Sequence, residues 1–138
     1  MAAAAGRAYR AGRRAESVAA LLLRLKGYRI LARRFKTPAG EIDILARRGS
    51  LLVAVEVKRR AGRGGIAQDS PVPPRQWARL ARAVQWWLAG RRAPHAVQLR
   101  FDLIFIADRR WPVHVRDAWR PGDAGGQGGR RDAAFFHG

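Results

Sequence analysis

Residues 40–58 read GEIDILARRGSLLVAVEVK, two apolar segments separated by a basic turn that contains glycine and serine. This pattern predicts a β-hairpin, because branched aliphatic residues favour strands and glycine favours the tight turn between them. Side chains two residues apart in a strand point to the same face, so Glu56 lies beside Lys58. Glu41 lies beside Asp43 for the same reason. The second strand is otherwise apolar, and Glu56 is therefore a buried charge that needs a partner.

Two alternatives could balance the charge of Glu56. Lys58 alone could neutralise it in a purely structural salt bridge. However, Asp43 on the preceding strand adds a second carboxylate, and two neighbouring carboxylates repel each other unless a cation lies between them. Asp43 and Glu56 are therefore predicted to bind a hard divalent metal, Mg²⁺ or Mn²⁺. Glu41 is expected to face solvent rather than to bind the metal.

The charge of the chain indicates a polyanionic partner. Its 138 residues carry 28 Lys and Arg against 10 Asp and Glu, a formal net charge of +18. Arginine dominates this excess, and its guanidinium group suits bidentate contacts with phosphate, so nucleic acid is the expected partner. A coding bias would explain arginine in place of lysine, but not the size of the surplus.

The chain has no cysteine, which excludes disulfides and thiolate metal sites. Its longest apolar run near the start, residues 18–23, is too short for a membrane span or a signal-peptide core. We therefore expect a cytoplasmic protein with no membrane partner. Residues 11–119 are expected to form a single domain, and residues 1–10 and 120–138 to be disordered basic tails.

The other elements follow from apolar periodicity and from glycine and proline at the turns. Gly27 is expected to end the first helix. The element order α-β-β-β-α-β-β predicts an α/β fold, a mixed sheet flanked by helices and partly parallel through its strand–helix–strand step. The apolar stripe of the first helix comprises Ala15, Val18, Ala19, Leu22 and Leu25. The predicted elements are helices at 11–26 and 74–89, and strands at 28–35, 40–46, 51–58, 98–107 and 113–115, the last at a sheet edge.

Two basic segments are candidates for nucleic-acid binding. Residues 59–65 follow the hairpin without periodicity and contain several glycines, which predicts a mobile loop that captures phosphate through Arg59, Arg60 and Arg63. The second segment is the exposed face of the second helix, where helical spacing aligns basic side chains. Its members are Arg75, Arg79 and Arg82.

The hairpin resembles a known nuclease signature. Asp43 followed by Glu56-x-Lys58 is similar to the signature of the PD-(D/E)xK nuclease superfamily. The wider chain, over about residues 12–107, resembles the YraN-like family of small bacterial proteins. This resemblance implies a restriction-endonuclease-like core, akin to that of Holliday-junction resolvases. The segments that carry the resemblance to the YraN-like family are residues 15–16, 27–31, 40–45, 55–58 and 100–102.

For the site, the resemblance implies a Mg²⁺-dependent endonuclease that acts in DNA repair or recombination. Asp43 and Glu56 would bind the metal, and Lys58 would orient or activate the attacking water. Glu16 would complete the acidic cluster, although it could instead be a surface acid paired with arginine. Gln76 stands where relatives carry a lysine early in the second helix, and it could still contact a phosphate.

Three functions remain open at this point. The first is a metal-dependent nuclease, and the second is a catalytically inactive nucleic-acid-binding or accessory protein that keeps the nuclease fold. The replacement of the helix lysine by Gln76 supports the second. The third is a basic protein that docks on an acidic protein partner or on the ribosome. The oligomeric state is also open, although a dimer would suit an enzyme that cuts both strands.

Overall fold

A computed structural model describes residues 2–60, 72–91 and 98–123, and the predicted C-terminal tail lies mostly outside these ranges. The described residues form a five-stranded sheet and two helices in an α/β, restriction-endonuclease-like arrangement, which confirms the predicted fold and element order. The elements are α1 (Ala2–Leu25), β1 (Arg29–Thr37), β2 (Gly40–Arg48), β3 (Leu51–Arg60), α2 (Pro74–Ala89), β4 (Gln98–Ala107) and β5 (Val113–Trp119).

The strands lie side by side in chain order, β1-β2-β3-β4-β5, and only the β3–β4 pair is parallel. In the predicted hairpin Arg48 pairs with Leu51, and Gly49 adopts a φ of +60° in the turn between them. β5 is an edge strand, as predicted, but it extends to Trp119 instead of ending at Val115. Because β3 and β4 are parallel, their carboxyl ends emerge at the same end of the sheet.

Each face of the sheet packs against one helix. Alternation along β3 sends Val53 and Val55 into the core under α1, and Leu52 and Ala54 into the core under α2. This double burial explains why β3 is apolar on both faces, a composition typical of a central strand with a parallel neighbour. From α2 the core receives Trp77, Leu80, Ala83 and Val84.

The first helix is longer than predicted. It begins at Ala2 rather than at residue 11, because the alanine-rich start has a high intrinsic helix propensity that an apolar-stripe argument ignores. Its end agrees with the prediction. Gly27 has a φ of +88°, and the amide of Tyr28 donates to the carbonyl of Leu23 at 2.9 Å, as in a Schellman motif.

The buried face of α1 is rotated from the predicted stripe. Val18 and Leu25 are exposed, although the stripe placed both of them in the core. Small side chains bring the helix close to the sheet, so alanines take positions where larger aliphatic residues were expected. Glu16 consequently faces the sheet and is buried. The buried residues of α1 are Ala15, Glu16, Ala19, Ala20 and Leu23.

Candidate functional site

Asp43 and Glu56 lie on neighbouring strands at the point where β2 and β3 separate. Backbone pairing between these strands ends at Ile44 and Val55. Beyond that pair, the amide of Val57 donates to Oδ2 of Asp43 at 2.9 Å. A side-chain carboxylate thus accepts the hydrogen bond of a strand amide, which holds Asp43 against β3 beside Glu56.

Glu56 is buried, with only 7% of its surface exposed, and Asp43, Gln76 and Lys58 all interact with its carboxyl group. Gln76 of α2 donates from Nε2 to Oε1 of Glu56 at 2.5 Å. The ammonium Nζ of Lys58 lies 3.8 Å from the same oxygen, and its side chain is half-exposed. The predicted Glu56–Lys58 pairing is therefore present. Gln76 and Lys58 thus both contact Oε1, beside the neighbouring carboxyl of Asp43.

The pKa values of both carboxyls are raised. Burial is the main cause for Asp43, and the negative charge of Glu16 adds to it, so that the pKa rises from 3.8 to about 6. Burial is also the main cause for Glu56, followed by the charge of Asp43, and its pKa rises from 4.5 to about 7 although Lys58 opposes the shift. The pair therefore retains a proton near neutral pH, which a bound cation would displace.

This retained proton predicts the pH dependence of the metal-free protein. In the unfolded chain both carboxyls ionise near their ordinary values, whereas in the folded chain they stay protonated until about pH 6 and 7. The pair therefore costs no stability at pH 4, and its cost appears as the pH rises toward 8. We expect Glu56→Gln to match the wild type at pH 4 and to exceed its free energy of unfolding by about 2 kcal/mol at pH 8.

Urea denaturation in EDTA at pH 4, 6 and 8 measures this difference. Asp108→Asn is the matched control, because Asp108 is an exposed carboxylate that is not among the charges shifting the pKa of Asp43 or Glu56. Its difference from the wild type should not vary with pH. A difference between Glu56→Gln and the wild type that stays constant from pH 4 to 8 would contradict the assignment of a shared proton.

The structure brings Glu16 to the pair but also gives it a partner. Glu16 is close enough to Asp43 to raise the pKa of that carboxyl, and its Oε2 accepts a hydrogen bond from Nε of Arg34. Arg34 has a left-handed φ of +50°. Its neighbours in β1 pair with Ile44 and Ile42, so Arg34 is level with Asp43 across the two strands. The arginine partner expected for Glu16 is present, but Glu16 is buried and not a surface acid, and its part in the acidic cluster stays a prediction.

The first residues of the predicted basic loop, Arg59 and Arg60, belong instead to β3. β3 continues through Arg59 and Arg60, since both residues pair with β4, so these two arginines belong to a strand and not to a loop. The sequence of residues 59–65 did not predict this strand conformation, because pairing with the parallel strand β4 imposes it on Arg59 and Arg60 whatever their side chains are. Arg59 is exposed, and Arg63 lies outside the described residues.

The residues predicted on the second helix occupy different surroundings. Arg75 and Arg79 are exposed, as expected for the basic face of α2. Gln76 is half-buried and points to Glu56. α2 approaches β2 closely, since a Cβ on Gly40 would lie 3.4 Å from the backbone carbonyl oxygen of Arg79. This close approach places the basic face of α2 next to the strand that carries Asp43.

The donors of the site fit a hard cation. Two carboxylates supply oxygen ligands, and burial raises the pKa of both, with the charge of Asp43 adding to the shift of Glu56. Within residues 2–60, 72–91 and 98–123, no group of three or more His, Cys, Asp or Glu side chains is arranged to hold a metal ion. Mg²⁺ commonly binds through one or two carboxylates and retains water for its other positions, so a pair is a sufficient protein contribution.

A family model described as Uncharacterised protein family UPF0102 matches residues 15–106. The chain belongs to the UPF0102 family. This membership confirms the predicted YraN-like resemblance, since UPF0102 is the YraN family. The matched region of the UPF0102 chain includes all four residues predicted to be catalytic, which are Glu16, Asp43, Glu56 and Lys58.

Curated UPF0102 proteins from several bacteria are similar to this chain over most of its length. The UPF0102 protein of Parvibaculum lavamentivorans is 57% identical over 116 residues, which cover 83% of this chain and 84% of the relative. The UPF0102 protein of Maricaulis maris is 50% identical over 113 residues, covering 82% and 87% respectively. That of Chelativorans sp. is 48% identical over 113 residues, covering 82% and 90%. The UPF0102 chain and these relatives are therefore comparable as whole proteins.

The sequence did not place a second polar cluster, which lies on β4 and β5 of the UPF0102 chain. Asp102 is fully buried and accepts hydrogen bonds from Arg100 at 2.8 and 2.7 Å. Nε2 of His114 lies 2.7 Å from Oδ2 of Asp102, and the amide of Asp117 donates to Oδ1 at 3.0 Å. Residues 100–102 carry part of the resemblance to the YraN-like family, but the sequence did not pair Asp102 with His114, because the two lie on different strands. Their mutual hydrogen bonds give them a structural role.

None of the helices in the described part of the UPF0102 chain is long and apolar enough to cross a membrane.

Proposed function

We propose that this UPF0102 chain binds nucleic acid and hydrolyses its phosphodiester bonds with a divalent metal, Mg²⁺ or Mn²⁺, held by Asp43 and Glu56. The observation that carries the proposal is the buried carboxylate pair, which retains a proton near neutral pH and has a lysine 3.8 Å from one of its oxygens. Carboxylates in this state are typical of sites whose chemistry requires perturbed pKa values.

The neighbouring side chains have distinct tasks in such a reaction. When bound, a hard cation neutralises charge on the phosphoryl group and lowers the pKa of a water molecule. Lys58 is half-exposed, so its ammonium can hold a phosphate oxygen or the attacking water while it stays near Glu56. Gln76 donates to Oε1 of Glu56 and so fixes the direction of the other oxygen. Gln76 is thus a positioning residue.

The charge of the surface supports a nucleic-acid substrate. Arg59, Arg75 and Arg79 are exposed near the strands that carry the carboxylates. The whole chain has a formal net charge of +18. Contacts between arginine and phosphate release counterions, so binding should weaken steeply as the salt concentration rises. A substrate without a polyanionic backbone would not require such a surplus.

A second candidate function is binding without catalysis. Arg34 donates a hydrogen bond to Glu16, which gives that carboxylate a partner within the protein. The residue of α2 that contacts Glu56 is the neutral Gln76 rather than a lysine. In that case the hydrogen bonds of Gln76 and the charge of Lys58 would stabilise the carboxylates structurally. The chain would then be a nucleic-acid-binding or accessory protein that keeps the nuclease fold.

A cleavage assay separates the two candidates. Purified protein is incubated with supercoiled, single-stranded and four-way-junction DNA in Mg²⁺, Mn²⁺ or EDTA. The proposal predicts metal-dependent cleavage by the wild type and by Glu41→Gln. Cleavage should be at least about a hundredfold slower in the double variant Asp43→Asn/Glu56→Gln. Binding of DNA without cleavage in either metal would favour the second function. Equal cleavage by the double variant would show a contaminating nuclease and would contradict the proposal.

A further inference from the structure

Trp111 is the most exposed large apolar side chain among the described residues, with 91% of its surface accessible. It directly follows a turn between β4 and β5 formed by residues 108–110, all of which are exposed. Arg109 in this turn has a left-handed φ of +59°, and the amide of Arg110 donates to the carbonyl of Ala107 at 3.4 Å. The short, hydrogen-bonded connection therefore exposes a tryptophan directly after two exposed arginines in the chain.

The register of the sheet locates this turn relative to the carboxylate pair. In the parallel β3–β4 ladder, Ala107 pairs with Arg60 and Leu103 pairs with Glu56. The turn therefore emerges at the end of the sheet to which β3 runs after Glu56. The two pairs are four positions apart along the strand, a length of about 13 Å. That length equals about four nucleotides at the 3.4 Å rise of stacked DNA.

The turn has a net positive charge, which suits a phosphate backbone, because Arg109 and Arg110 outnumber Asp108. Within the described part of the chain, neither Arg109 nor Arg110 forms an ion pair, and Arg59 is exposed on the adjacent strand. A single exposed tryptophan is common on protein surfaces and would carry no argument alone. Here Trp111 directly follows Arg109 and Arg110, at the end of the sheet to which β3 runs after Glu56. Aromatic side chains with flanking cations are the usual components of a surface that binds unpaired bases.

We propose that Trp111 stacks on an unpaired base while Arg109 and Arg110 contact the neighbouring phosphates. The preferred substrate is then nucleic acid with a single-stranded segment, rather than a continuous duplex whose bases are already stacked. Because every base has a π-face, the contact is independent of sequence. That the bound nucleic acid is also the substrate for cleavage rests on the proposed function, but the stacking contact does not depend on cleavage.

Binding measured in EDTA tests the contact without interference from cleavage. Fluorescence anisotropy of a labelled 20-nucleotide single strand, and of its duplex, is recorded with the wild type, Trp111→Ala, Trp111→Phe and the control Leu25→Ala. Leu25 is a 78% exposed apolar residue at the end of α1, outside the basic face of α2. We expect Trp111→Ala to raise the single-strand Kd about tenfold and the duplex Kd less than twofold. Trp111→Phe should recover most of the loss, and Leu25→Ala should bind both DNAs like the wild type.

Several outcomes would overturn the inference. One is an unchanged single-strand Kd in Trp111→Ala, and another is an equal loss on single strand and duplex. A third is a Trp111-dependent blue shift of tryptophan fluorescence on phosphatidylserine vesicles together with unchanged DNA binding, which would assign the indole to a membrane surface. Circular dichroism of each variant verifies folding. The result is separable from the nuclease proposal, because stacking can be present without cleavage, and cleavage can be present in a protein that ignores Trp111.

Discussion

Replacing Asp102 with asparagine should lower the free energy of unfolding by about 3–5 kcal/mol. The carboxylate is fully buried, and it accepts two hydrogen bonds from Arg100, whose side chain is largely buried as well. Asparagine keeps the shape of the side chain but removes its charge. The Arg100 guanidinium then loses its counterion in a region of low dielectric constant, which is among the most destabilising changes a core can undergo.

The surrounding contacts indicate why this carboxylate is ionised. Burial alone would raise the pKa of Asp102, but hydrogen bonds from His114, Arg100 and the amide of Asp117 outweigh it and lower that pKa. The stability that Asp102 contributes is therefore present above the ordinary pKa of an aspartate and is lost as the pH falls through the lower, folded-state pKa. The network joins β4 to β5 and, through the hydroxyl of Tyr28, to the segment that follows α1.

Urea denaturation at pH 7 measures the effect of Asp102→Asn. The matched control is Arg120→Gln, which removes an exposed ion pair with Asp117 on the same edge of the sheet. Exposed pairs contribute little to stability, so this control should unfold at the wild-type urea concentration. If Asp102→Asn also unfolds there, the network does not hold the edge of the sheet as described.

Replacing Lys58 with methionine should slow cleavage by about 10²–10³-fold while leaving the binding of metal and DNA within about twofold of the wild type. The reason is that Lys58 is expected to act on charge that develops in the reaction, whereas the metal is held by Asp43 and Glu56. Methionine keeps the length and apolar stem of the side chain but has no positive charge. The measurement compares single-turnover cleavage rates with separate binding isotherms for Mn²⁺ and DNA.

Lys36→Met is the control for this experiment. Lys36 is an exposed lysine of β1 that pairs in register with Glu41, so its replacement changes the net charge equally without altering the carboxylate pair. Its cleavage rate should equal that of the wild type. If Lys58→Met cleaves at the wild-type rate, then Lys58 serves only as a partner of Glu56, and the structural interpretation of the salt bridge is correct.

The hairpin was predictable from sequence because local rules determine it. Alternation of apolar residues fixed the two strands, and the basic turn with Gly49 fixed the register that brings Asp43 beside Glu56. The Schellman ending of α1 at Gly27 was predictable for the same reason, since only local backbone geometry decides it. These features needed no knowledge of what packs against them.

Features that depend on tertiary contacts were not predictable. The buried face of α1 was predicted from large aliphatic residues, but a close helix–sheet contact selected alanines and buried Glu16. Arg59 and Arg60 looked like a loop because their strand conformation comes from pairing with β4. The exposure of Trp111 could not be predicted from the sequence, since the fold determines which side chains are exposed. The partners of Asp102 are likewise brought together only when β5 pairs with β4.

Titration of the purified protein with Mn²⁺ at pH 7 by isothermal titration calorimetry tests whether Asp43 and Glu56 together bind a divalent cation. Repetition in buffers of different ionisation enthalpy counts the protons released. We expect saturable binding by the wild type, release of a proton as the metal displaces it from the pair, and at least about tenfold weaker binding by Glu56→Gln. Binding of equal affinity in Glu56→Gln and the wild type, with no proton released, would show that the pair does not hold the metal.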